Sequence, residues 1–68
     1  MDYSRGDEIE VKIDRDGLIN DHGIGHLPDE TMVVIAGAGG MVGRTVRATV
    51  IGVERSALGS SVLANANT

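Results

Sequence analysis

Cysteine is absent from the 68 residues, which excludes a disulfide framework, a thiolate nucleophile and a zinc ribbon. Tyr3 is the sole aromatic, so a core must be assembled from Val, Ile, Leu and Met. No stretch approaches the roughly 20 apolar residues of a membrane span. The acidic opening (Asp2, Asp7, Glu8) is unlike a signal peptide. Proline occurs once against ten glycines, a balance that favours tight turns over a rigid linker. The length leaves room for one small domain and excludes a multi-lobed enzyme.

Basic side chains are also scarce, and they are unevenly placed. Residues 1–30 hold Arg5, Lys12 and Arg15 against nine carboxylates, a balance of 3 − 9 = −6. Residues 31–68 hold Arg44, Arg47 and Arg55 against Glu54 alone, a balance of 3 − 1 = +2. A polyanion would be repelled by the first half of the chain and met by the second.

What the sequence does contain is the period of strands. Glu8 to Ile13 alternates, with Ile9, Val11 and Ile13 facing in and Glu8, Glu10 and Lys12 facing out. Asp16-Gly17 and Asn20-Asp21 are turn signals, and a short strand is expected at Gly23 to Leu27. Pro28-Asp29-Glu30 predicts a reversal before a strand at Thr31 to Ala36. Past the glycines of 37–40, Met41-Val42-Gly43 reads as a buried turn. The longest strand is expected at Arg44 to Val53, with Val46, Ala48 and Val50 inward and Thr45, Arg47 and Thr49 outward. Its phase slips at Ile51-Gly52-Val53, predicting a bulge at Gly52 that turns Ile51 outward and returns Val53 to the core. A polar loop at Ser56 to Ser60, a final strand at Ser61 to Ala64 and a frayed tail at Asn65 to Thr68 complete the reading. No 3.6-residue period is present. Five short strands imply an all-β fold, a small five-stranded barrel, since an open sheet of this size leaves edges exposed. Its stability should be modest, on the order of 3–5 kcal/mol.

Gly37-Ala38-Gly39-Gly40-Met41-Val42-Gly43-Arg44 resembles a dinucleotide-binding turn only at a glance. Val42 stands where the third glycine of G-x-G-x-x-G belongs, and the alternating residues after Gly43 are not helical. The same stretch lacks the lysine of a phosphate loop. His22 and His26, near Asp21 and Asp29, have no third ligand at diagnostic spacing and read as surface histidines. Glu8 and Glu10 lie on a solvent face, and Ser56, Ser60 and Ser61 have no adjacent histidine and aspartate. Neither a catalytic residue, a metal nor a cofactor is expected, and the chain does not read as an enzyme.

Three stretches carry a family resemblance: Gly6-Asp7-Glu8-Ile9-Glu10-Val11, Gly23-Ile24-Gly25-His26-Leu27-Pro28-Asp29-Glu30-Thr31-Met32-Val33-Val34 and Met41-Val42-Gly43-Arg44-Thr45-Val46. Together they resemble a TRAM domain, most narrowly the C-terminal TRAM module of bacterial PIN–TRAM proteins. The resemblance covers residues 5–64, leaving 65–68 as tail. It implies an OB-like barrel that binds RNA as an accessory to an RNA-modifying or RNA-cleaving domain, with a PIN nuclease domain as a possible partner in the parent chain. It also implies a cytoplasmic location and no membrane contact by this segment.

The chain departs from the family pattern at three positions. Glu30 stands where a glycine is usual, and Ser60 and Leu63 stand where the last strand usually has arginine and phenylalanine. One charge and one stacking platform fewer predict weak, largely sequence-independent affinity. The expected RNA contacts are Arg44, Arg47 and Arg55 to phosphates, with Thr49, Ser56 and Ser60 as hydroxyl partners. His26, where the family often has an aromatic, is the expected stacking ring. The alternative reading is a protein-interaction or oligomerisation barrel that positions a catalytic partner without touching RNA.

Overall fold

The strand that begins at Glu8 runs further than its alternation does. In the computed structural model, which describes residues 3–17, 21–57 and 59–67, β1 spans Glu8–Asp16 with Ile9, Val11 and Ile13 buried. It is followed by β2 (His22–His26), β3 (Met32–Ala36), β4 (Thr45–Ser56) and β5 (Gly59–Ala66). The strands close into a barrel in the order β1-β2-β3-β5-β4, so no helix occurs among the described residues and no sheet edge runs the barrel's length. Only β3 and β5 are parallel; every other neighbouring pair is antiparallel.

The core is wholly aliphatic: Ile9, Val11, Ile13, Leu27, Val33, Ile35, Ala38, Val46, Ala48, Val50, Val62 and Ala64. Tyr3, Met41 and Ala66 pack against its margin. With no ring to fill the interior, the walls approach closely. A Cβ on Gly25 would stand 2.3 Å from Val11 Cγ1 and 2.5 Å from the Lys12 carbonyl oxygen, so β2 has room only for hydrogen there.

The pairings give the barrel two ends of different make. At one, the glycine-rich connection from Gly37 to Arg44 folds over the opening and buries Ala38 completely. Gly37 N–H donates to the Asp21 carbonyl (2.7 Å), Gly40 N–H to Asp16 Oδ1 (3.1 Å) and Gly43 N–H to the Ile13 carbonyl (2.8 Å). At the other end lie the β2–β3 reversal and the β4–β5 hairpin. Glu30 N–H donates to the Leu27 carbonyl (2.8 Å), Leu27 N–H to the Thr31 carbonyl (2.9 Å), and Glu30 takes φ +71°.

Several expectations need correction. The Met41-Val42-Gly43 turn is not buried: Ala38 plugs the barrel, while Val42 projects past its end at 52% exposure. The last strand begins at Gly59 and reaches Ala66, and Asn67 N–H donates to the Arg47 carbonyl, so the expected fraying from Asn65 does not occur through Asn67. Asn20 of the second turn signal and Thr68 of the tail lie outside the described residues.

The bulge in β4 is present, but Ile51 is its extra residue. Val50 pairs with Ala64 and Gly52 with Leu63, leaving Ile51 unpaired and 45% exposed. Val53 pairs with buried Val62 on the inner side, yet it is 37% exposed and does not join the core, because β4 has by then run past its pairing with β1. A second irregularity, between Ile13 and Arg15 in β1, was not foreseen.

Candidate nucleic-acid interface

Arg44 and Arg47 are positioned at the glycine-rich end by backbone contacts. Arg44 N–H donates to the Met41 carbonyl (2.9 Å), and the Arg44 carbonyl accepts from Ile13 N–H (2.9 Å). Three residues on, Arg47 faces outward from β4 opposite Glu10 of β1. Both arginines line a cleft of about 380 Å³ that also contains Met41, Thr45, Val46, Ala66 and Asn67. Asn67 is held there: its Oδ1 accepts from the Thr49 hydroxyl (2.9 Å), and its Nδ2 donates to Glu8 Oε1 (3.5 Å). Thr49 thus braces the margin of the cleft.

Arg55 is elsewhere. Eight residues of β4 separate it from Arg47, about 26 Å at ~3.3 Å per residue, close to the molecule's longest dimension of 28 Å. The face also changes. Eight residues in a regular strand would keep both arginines on one side, but unpaired Ile51 shifts the phase. Arg55 pairs with Ser60 on the side of Val53 and Val62, whereas Arg47 shares the outer side with Thr45 and Thr49. The three arginines therefore form no single stripe.

Ser60 belongs to a different cleft, of about 610 Å³, with Asp29, Glu30, Thr31, Met32, Gly59 and Ser61. Its two carboxylates disfavour a phosphate chain. Hydrogen bonds from the Thr31 side chain and Thr31 N–H hold the Asp29 carboxyl below its ordinary value, so it is ionised at neutral pH. The stabilisation it gives the turn is complete above the ordinary carboxylate pKa and is lost as pH falls through the lowered value. Ser56 ends β4 at this same end; its side chain lies outside the described residues.

His26 sits on the outer side of β2 with Nδ1 2.8 Å from Asp14 Oδ2, an exposed pair. Asp14 is the residue unpaired by the irregularity in β1. Neither His26 nor Arg55 adjoins the Arg44–Arg47 cleft, and no group of three His, Asp or Glu suited to a metal occurs among the described residues.

Sequence reasoning passed over Glu10, whose Oε1 lies 3.5 Å from Arg47 Nε, and also Met41, Ala66 and Asn67. The Glu10–Arg47 pair needs the β1–β4 register to be seen. Asn67 was hidden by its place near the chain's end.

The five-stranded closed barrel is an OB-like fold, the architecture of many nucleic-acid-binding modules. The TRAM domain family model matches residues 4–63, and the chain belongs to that family. TRAM domains are generally RNA-binding modules. No curated protein and no solved structure matches the chain.

Proposed function

We propose that this chain is a non-catalytic RNA-binding accessory module with weak, largely sequence-independent affinity, and that its phosphate contacts lie at the glycine-rich end of the barrel. One observation carries this reading: Arg44 and Arg47 border the same cleft, while Asp29 and Glu30 border the cleft at the opposite end. Thr49 supports the first cleft through Asn67. Arg55, Ser56 and Ser60 belong to the far end and serve only a strand long enough to span the barrel. His26, paired with Asp14, stacks only where that pair opens.

Each phosphate neutralised on a single strand contributes about 0.7 to the slope of log affinity against log salt. Three clustered arginines would give a slope near 2 in magnitude; the two that share a cleft give about 1.4. A salt titration with a short unstructured RNA should show this shallow slope, with affinity micromolar or poorer at physiological salt. Replacing both arginines by alanine should remove most of the slope and weaken different RNA sequences by a similar factor. Arg5→Ala and Arg15→Ala should do little.

The competing reading, a protein-interaction or oligomerisation barrel, is favoured by exposed Ile51 and Val53 where β4 runs past its pairing with β1. It leads if the domain shows no salt-sensitive RNA binding at low ionic strength. The narrower assignment to a PIN–TRAM protein, with a PIN nuclease domain as partner in the cytoplasm, is part of the same proposal. A PIN-encoding segment in the parent gene tests it.

A further inference from the structure

Among the described residues, a cleft of ligand size lies at each end of the barrel, and the two linings differ in what they offer. The acidic one has Asp29 and Glu30 at its margin. The other has two guanidinium groups over a partly apolar lining, with Val46 buried and Met41 and Ala66 half-buried. Its volume of about 380 Å³ falls in the range of small-molecule sites. Arg44 makes no ion pair among the described residues and is available to an anion. Arg47 has only the exposed Glu10 carboxylate at 3.5 Å, an interaction that water and salt weaken.

Resting on the RNA-binding reading, we propose that this cleft seats one nucleotide of a single strand, its phosphate between Arg44 and Arg47 and its base against Met41, Val46 and Ala66. Asn67 is the side-chain amide best placed to read a base edge, and one acceptor site and one donor of it are already engaged. Its Oδ1 takes the Thr49 hydroxyl and its Nδ2 turns to Glu8. Beside the arginines, the rest of the lining is aliphatic except for the Thr45 hydroxyl, which can donate or accept and so fits no single base edge. The seat therefore holds any base, which gives sequence-independent binding a structural cause. Glu10 competes with the phosphate for Arg47 and sets the affinity low.

The test is fluorescence anisotropy at low salt with three labelled hexamers of equal charge: oligo-U, oligo-A and an abasic ribose-phosphate chain. Oligo-U and oligo-A should agree within about threefold, and the abasic hexamer should bind about twofold to fivefold more weakly, since contact with aliphatic side chains falls at or below the low end of base–aromatic stacking. Met41→Ser should shrink that abasic penalty, since it removes lining without touching charge. Glu10→Gln should tighten all three by about twofold, the scale of an exposed ion pair. Amide shifts in the labelled protein should concentrate at residues 41–47 and 66–67. Equal binding of intact and abasic hexamers, or shifts confined to the Asp29–Ser60 end, overturns the seat while leaving RNA binding intact. No binding by any hexamer overturns the RNA reading itself, and the seat falls with it.

Discussion

The two ends of the barrel are built from similar material and finish differently. Each has a tight turn with a residue at positive φ, each has an arginine of β4 nearby, and each has a cleft. At the glycine-rich end the connection is sewn to the β1–β2 turn by backbone hydrogen bonds, and its arginines face outward beside an aliphatic surface. At the hairpin end β4 runs past its pairing with β1, so Val53, which faces inward, is exposed, and two carboxylates border the nearby cleft. The difference rests on one extra residue. Were Ile51 paired like its neighbours, Arg55 would share a face with Arg47 and the barrel would carry one long cationic stripe. Binding capacity here depends on strand phase as much as on composition.

The sharpest way to break the comparison is to unseat the glycine-rich end. A Cβ on Gly39 would lie 2.5 Å from Asp21 Cα and 3.0 Å from its backbone N and C. Asp21 cannot yield easily, because its carbonyl accepts from Gly37 N–H and it already stands at φ +66°. Gly39→Ala should therefore cost about 3 kcal/mol, the upper part of the range for overpacking. In a domain expected to have about 3–5 kcal/mol in total, this leaves about 0–2 kcal/mol, so urea denaturation should show a much lowered midpoint and up to about half of the population unfolded in water. A midpoint within experimental error of the parent chain would mean that the connection does not clamp this end.

At the hairpin end the opposite change should help. Glu30 occupies the left-handed region at φ +71°, where its Cβ is crowded by its own backbone. Glu30→Gly should raise stability by about 1 kcal/mol. Glu30→Ala is the control, since it removes the charge and keeps the strain. If both variants melt at the same temperature, charge rather than backbone strain accounts for the effect.

How much of this was legible in the sequence depends on whether a face is buried. Alternation at Ile9, Val11 and Ile13, and again at Val46, Ala48 and Val50, marks the inward positions because each strand there has one wet side and one dry side. Beyond Val53 both Glu54 and Arg55 are exposed, so they carry no alternation and the strand reads as ending early. The same holds for Gly59 and Ser60 at the start of β5. The positive φ at Glu30 followed from the family's glycine, a signal that composition alone lacks. The cleft was legible only as two arginines. Its walls come from two stretches, residues 41–47 and 66–67, that lie 19 or more positions apart, and proximity between Met41 and Ala66 is set by closure of the barrel.

The smallest expected effect tests the bulge itself. A glycine at a break in register suggests a conformation closed to other residues, and on that view Gly52→Val would strain the backbone by about 1–3 kcal/mol. The geometry removes both grounds for such a cost. Gly52 is not among the glycines at positive φ, and a Cβ built on it meets no atom within 4 Å. It pairs regularly with Leu63, a half-buried apolar neighbour for the new side chain, and valine suits a strand. Gly52→Val should therefore shift stability by no more than about 0.5 kcal/mol in either direction. Thermal unfolding of the variant beside Gly39→Ala decides the point. A loss above 1 kcal/mol would mean that Gly52, and not Ile51, bears the conformational demand that separates the two faces of β4.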